Sequence, residues 1–225
     1  MRKIIYLLDV DDYAPKIKEI TDPFIKHYAK KIGAKVCVIN SRRYPDMPVT
    51  YEKLQIFDLA KKIKADWNIY IDYDTLIHPE TLDFTQFISK DTVLHNGYDL
   101  ANIRWKYDEY FMRDGRHIGS CNWFTMASDW CLDLWHPLDI PLEQAVKNII
   151  PTVEEQRSGI SPEHLIDDYT LSRNIARFGL KFKSALDIQR EQGLNEANFF
   201  FHIYTVPVEE KVKELKKTIK AWNLK

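Results

Sequence analysis

The chain of 225 residues has room for one sizeable core, and 45% hydrophobic with 29% charged residues is globular composition that argues against extensive disorder. Lys plus Arg (32) nearly balance Asp plus Glu (33), so a net charge of -1 supplies no general field for nucleic acid or anionic lipid, and a phosphate-bearing ligand has to be held locally. Three cysteines, Cys37, Cys121 and Cys131, form no CxxC pair, which argues against a disulfide framework or zinc site and for a reducing, cytoplasmic setting.

The run Ile4 to Leu8 is near-continuously apolar and ends in Asp9, Asp11 and Asp12, the pattern of a strand buried on both faces that opens onto a polar loop. No cleavage site follows it, and no apolar stretch reaches the roughly 20 residues of a bilayer span, so membrane association would be peripheral, through a partner. From Pro15 to Lys31 apolar residues recur at three- and four-residue steps and Gly33 stands as a C-cap, which predicts a helix. Lys35 to Ile39 reads as a second buried strand, and strand, helix, strand implies a parallel sheet. Arg42 to Thr50, with Pro45 and Pro48, is a loop; the next helix is expected to begin at Thr50 or Tyr51, with Leu54, Phe57, Ala60 and Ile63 on its face.

Trp67 to Ile71 is the third strand candidate, followed at once by Asp72-Tyr73-Asp74-Thr75-Leu76-Ile77. Ligands of open α/β sheets bind beyond the carboxyl ends of strands, where this acidic pair falls. Extended backbone places Asp72 and Asp74 on one side. Two converging carboxylates make a hard-cation site for Mn²⁺ or Mg²⁺, able to bridge to a diphosphate and offset the charge of a departing nucleoside diphosphate. From Asp99 to Asp139 the chain is rich in aromatics, among them Trp105, Tyr107, Trp123, Phe124, Trp130 and Trp135; such rings can pack a sugar, but core packing is the expectation for most of them. Glu163 to Phe178 is helical by pattern, stopped at Gly179, and Pro207 to Lys225 reads as a Lys- and Glu-rich amphipathic helix that caps the core with one apolar stripe.

Lys53-Leu54-Gln55-Ile56-Phe57-Asp58-Leu59 followed by Ile69-Tyr70-Ile71-Asp72-Tyr73-Asp74-Thr75-Leu76-Ile77 resembles the GT-A fold glycosyltransferases, and more narrowly their glycogenin-like and galactosyltransferase-like branch. The resemblance implies a Rossmann-like α/β domain over 1–225: a nucleotide-binding half to about residue 100, a sugar and acceptor half over about 101–205, and a C-terminal helix over 207–225. It implies transfer of a sugar from a nucleotide-diphosphate donor, a UDP-sugar ahead of a GDP-sugar, to a glycan or other hydroxyl, with retention of anomeric configuration.

By the same resemblance, Lys53 approaches the donor with Asp72 and Tyr73, and Asn122 of Cys121-Asn122-Trp123-Phe124 touches the donor sugar. Asp167 and Asp168, before an apolar helix, face the reacting sugar and acceptor, while Asp9 and Asp11 lie near the ribose. His202, after Asn198-Phe199-Phe200-Phe201, becomes the third metal ligand beside Asp72 and Asp74. Residue by residue, bland readings stand next to these: an exposed helix lysine for Lys53, a hydrogen-bonded core histidine for His202, and helix-dipole acids for Asp167 and Asp168. A nucleotidyltransferase would also use paired carboxylates, but Asp9 to Lys18 contains no glycine for a phosphate loop. A catalytically silent sugar-binding module would keep the aromatics without requiring metal.

Overall fold

The alternation of apolar side chains along the first strand sets up two cores. In a computed structural model, which describes residues 1–12, 14–96, 123–194, 199–204 and 206–224, strand β1 (Lys3–Leu8) turns Ile4 and Tyr6 to one face and Ile5 and Leu7 to the other. Strand β3 (Trp67–Ile71) does the same with Tyr70 against Trp67, Ile69 and Ile71. Both strands lie inside a six-stranded sheet ordered β2-β1-β3-β6-β5-β7. The other members are β2 (Ala34–Ile39), β5 (Thr92–His95), β6 (Phe124–Ser128) and β7 (Lys181–Ser184). Strands β1, β2 and β3 pair in parallel, as do β5 and β7, while β6 runs antiparallel to β3 and β5.

Helix α1 (Pro15–Ile32) covers the Ile5 face, ends at Gly33 with φ 69°, and delivers the chain into β2. The left-handed turn there is one that glycine adopts without a Cβ penalty. The edge strand β2 is not buried on both faces as its composition suggests: Val36 and Val38 are 37% and 42% exposed. An apolar run does not reveal whether the packing layer extends over both faces of a strand at the sheet edge. The Tyr6 face is covered by α2 (Ile56–Ile63), by the short α3 (Leu142–Val146) and by α5 (Ile166–Phe178), which stops at Gly179 with φ 62°. Helix α4 (Val153–Arg157) carries a full capping box between Thr152 and Glu155.

The expected helix from Thr50 starts instead as a 3-10 segment, Val49–Gln55, whose residues Tyr51 to Gln55 are all buried. This tight run carries Lys53 inward rather than to solvent. Aromatic residues behave largely as core: Trp123, Phe124 and Trp135 are buried, and Trp130 is 69% exposed. Trp105 and Tyr107 lie outside the described residues.

Helix α6 (Ala185–Glu191) packs on the Ile5 face, and two elements then close the fold around the end of β3. A two-residue ladder pairs β4 (Leu76–Ile77) antiparallel with β8 (Phe200–Phe201). It is extended by His78 N–H donating to Phe199 O at 2.8 Å and Thr81 Oγ1 donating to the same carbonyl at 2.9 Å. The last helix, α7 (Val208–Ala221), packs Val208, Val212, Leu215, Ile219 and the following Trp222 against Ile17, Ile20 and Phe24 of α1 and Leu76 of β4.

Candidate metal and nucleotide-sugar site

The acidic pair leaves β3 in a turn, not in extended chain: Thr75 N–H donates to Asp72 O at 3.0 Å. Convergence of the two carboxylates therefore comes from the turn rather than from the period of a strand. Its position is anchored twice, by Asp72 N–H donating to Trp123 O at 2.8 Å and by Thr21 Oγ1 of α1 donating to Tyr73 O at 2.6 Å. The β4–β8 ladder then brings His202, immediately after β8, back onto the turn. His202 Nε2 lies 3.2 Å from Asp74 Oδ1 and 3.7 Å from Asp72 Oδ2, and one ligand atom from each residue falls within 4.8 Å of the other two. The imidazole is stacked with Trp123, 5.3 Å centroid to centroid, and with Tyr204 at 6.1 Å, both near-parallel. That stack fixes the ring plane and so the direction of Nε2.

Cations surround the acids. Asp74 Oδ2 accepts from Lys211 Nζ of α7, while Asp72 has Lys53 Nζ at 3.7 Å and Tyr70 Oη donating to its Oδ1. Burial alone would push the Asp74 carboxyl up, but His202 and then Lys211 outweigh it and hold it well below the usual carboxylate range. Asp72 goes the other way: loss of solvation pushes it up, Lys53 pulls it down, and the neighbouring Asp74 charge helps the net shift remain upward. Lys53 is only 2% exposed and reaches Asp167 Oδ2 at 2.5 Å, with Nζ 4.5 Å over the Tyr70 ring. Burial would lower its pKa; Asp167 and Asp72 more than reverse that. The reading of Lys53 as an exposed helix lysine is thereby corrected.

These groups line one end of a cavity of about 440 Å³. Asp167 and Asp168 reach it from the first turn of α5, and Asp11, Thr50 and the apolar Leu8, Val10 and Val49 also line it. Asp11 takes a left-handed φ of 60° in the 3-10 turn Val10–Asp12 after β1. Asp9 is held away from the cavity lining, both carboxylate oxygens accepting from Lys18 at 2.8 and 2.9 Å. Tyr73 lines the cavity, and its hydroxyl donates to Asp22 at 3.1 Å. Asn122 lies outside the described residues.

Two contributors escaped the sequence reading. Lys211 was expected on a solvated cap, yet it is 4% exposed; its spacing from Val208, Val212 and Leu215 puts it on the buried stripe, which was the available signal. Tyr70 stands two residues before Asp72, on the same side of the strand end, and that spacing was the signal for it.

The donor set fits a divalent ion. Ligand bonds of about 2.1 Å place adjacent ligand atoms about 3 Å apart, near the spacings from His202 to both acids. Four carboxylates at this end of the cavity, Asp72, Asp74, Asp167 and Asp168, face two ammonium groups, Lys53 and Lys211. The formal balance of these six groups is -4 plus 2, or -2, which one divalent cation offsets.

No protein-family model matches the chain, and no curated protein matches it in sequence. Among solved structures it is similar to a glycosyltransferase involved in glycosylation of the major capsid of PBCV-1, at 11% identity and a TM-score of 0.53, over 96% of this chain and 100% of that one. A weaker likeness, at 14% identity and a TM-score of 0.45 over 91% of this chain and 71% of the other, is to a Drosophila β-1,4-galactosyltransferase 7 mutant complexed with manganese, UDP-Gal and xylobiose. The first likeness establishes the architecture: an α/β fold with a mostly parallel six-stranded sheet flanked by helices, shared with a glycosyltransferase of known structure. Among the described residues no helix is long and apolar enough to cross a membrane.

Proposed function

We propose that the chain is a metal-dependent glycosyltransferase that moves a sugar from a nucleoside-diphosphate donor, a UDP-sugar first, to a glycan hydroxyl. The observation that carries this reading is the Asp72-Asp74-His202 cluster at one end of a cavity beyond the carboxyl end of β3, in a fold shared with a glycosyltransferase. Asp72, Asp74 and His202 would hold the ion, and a mixed carboxylate and imidazole set suits Mn²⁺ better than Mg²⁺, which favours oxygen alone. When bound, the ion supplies positive charge against the diphosphate leaving group.

The chain's own residues do the rest. The apolar lining residues Leu8, Val10 and Val49 accommodate a base, and Asp11 accepts from the ribose hydroxyls. Tyr70 and Lys53 both engage Oδ1 of Asp72, which leaves Oδ2 toward His202. Asp167, paired with Lys53, and Asp168 beside it line the cavity and face the transferred sugar and the acceptor. Because the cavity is walled by buried side chains, charges there act in a poorly screened medium, and most of the acceleration comes from positioning and electrostatics. Retention follows the branch the motif resembles; Asp167 or Asp168 acting as general base on the acceptor would give inversion.

The test is a panel of UDP- and GDP-sugars incubated with the protein and Mn²⁺ or chelator, following release of nucleoside diphosphate. One donor cleaved, and only with metal, is the expected result. Turnover of nucleoside triphosphate with sugar phosphate would establish a nucleotidyltransferase instead. Failure to bind any donor in either condition would overturn the transferase reading.

A further inference from the structure

Helix α7 buries a lysine where its pattern calls for an apolar residue. Lys211 lies on the stripe that carries Val208, Val212 and Leu215, it is 4% exposed, and its ammonium reaches Asp74 at the cavity end. Taking an ammonium out of water is costly unless charge and hydrogen bonds compensate it. A methionine or leucine would complete the stripe without that cost, and other faces of α7 offer lysines full solvation, as Lys217 has at 73% side-chain exposure. The stripe alone therefore does not explain the residue; its place beside Asp74 at the cavity is what needs a reason.

We propose that Lys211 is a diphosphate-binding residue, carried into the cavity by the C-terminal helix. The inference rests on the nucleotide-sugar reading above and assigns a group to its phosphates. Three features of the geometry support it. Asp74 uses different oxygens for its two partners, Oδ1 toward His202 Nε2 and Oδ2 toward Lys211 Nζ, so the cation set and the lysine share the carboxylate without competing for one atom. Lys53, the other lysine lining the cavity, is held between Asp167 and Asp72 and over the Tyr70 ring. Lys211 sits on a four-carbon stem with three rotatable donors, so its ammonium can turn toward phosphate oxygens arriving at the acids while its stem remains packed. A diphosphate held at Asp72, Asp74 and His202 comes to rest beside this ammonium and gains a charge-assisted hydrogen bond from it.

The test uses calorimetric titration of the full chain and of Lys211→Met with four probes: Mn²⁺ alone, then inorganic pyrophosphate, UDP and uridine at saturating Mn²⁺. Losing one charge-assisted hydrogen bond weakens pyrophosphate and UDP by about tenfold or more. Mn²⁺ alone should bind the variant no more weakly than the native chain, uridine should be unaffected, and Lys211→Arg should recover most of the UDP affinity. Lys211→Gln, which keeps a polar tip without charge, serves if the methionine variant fails to melt cooperatively, with the same losses expected. Pyrophosphate and UDP binding within twofold of native would overturn the proposal. So would an equal loss of Mn²⁺ affinity, since the lysine would then act only by orienting Asp74. A native chain that binds Mn²⁺ but neither pyrophosphate nor UDP would instead remove the nucleotide-sugar reading on which the inference stands.

Discussion

Replacing Lys53 by methionine keeps the stem of the side chain and removes its ammonium, and the consequence follows from what it leaves behind. Asp167 is 4% exposed and has Lys53 Nζ at 2.5 Å, while Asp72 loses a second cation at 3.7 Å. Breaking a buried pair by deleting one partner costs about 3–5 kcal/mol, because the surviving charge remains desolvated. For a domain of this size each kcal/mol moves the melting temperature by about 2–4 °C, so a drop of roughly 6–20 °C is expected. The methyl-capped stem still packs over Tyr70, which argues that the loss is electrostatic rather than a cavity effect. Urea unfolding of Lys53→Met, Asp167→Asn and the double variant separates the two causes. The double variant should be more stable than Lys53→Met by about 2 kcal/mol, since it removes the stranded charge along with its partner. A loss under about 1 kcal/mol in Lys53→Met, or a double variant no better than the single, would refute the reasoning.

Glu52 is fully buried and organises the loop before it: Oε1 accepts from Arg42 Nε and Tyr44 N–H at 2.9 Å each, and Oε2 from Arg43 N–H at 2.9 Å and Gln55 Nε2 at 2.8 Å. Glu52→Ala should cost about 3 kcal/mol and speed tryptic cleavage after Arg42 and Arg43; an unchanged cleavage rate would remove Glu52 as the clamp. His95, at the end of β5, packs against Phe182, its Nδ1 has no hydrogen-bond partner among the described residues, and burial pushes its pKa down from 6.5 to about 4. The unfolded chain thus binds more protons than the native one between these values, so stability is retained above pH 6.5 and falls as pH drops toward 4, by roughly 3 kcal/mol in all. Chemical denaturation across that window should show the slope in the native chain and a shallower one in His95→Phe.

The strands β1 and β3, helix α1 and the glycine stops of α1 and α5 were legible because each is local: an apolar period, a cap, a left-handed turn. The same holds for the acidic pair, whose meaning comes from the strand directly before it. What was not legible depends on distant neighbours. Nothing within Lys35 to Ile39 reveals that β2 is a sheet edge, and the ladder that delivers His202 is two residues long, too short to carry a period. Lys53 reads as an ordinary helix lysine until the 3-10 turn and the Asp167 carboxylate of α5 surround it. Lys211 shows how a periodic pattern can hold a buried charge in view: it occupies a stripe position, and its charge hid that fact.

Binding of a divalent ion by Asp72, Asp74 and His202, and of a nucleoside diphosphate through it, can be followed by Mn²⁺ titration with electron paramagnetic resonance. The native chain should bind one Mn²⁺, more tightly when UDP is present, and Asp74→Asn and His202→Gln should each weaken that binding by about tenfold or more while remaining folded by near-ultraviolet circular dichroism. A native chain that leaves Mn²⁺ free with and without UDP, or folded variants that bind it as the native chain does, would contradict the account.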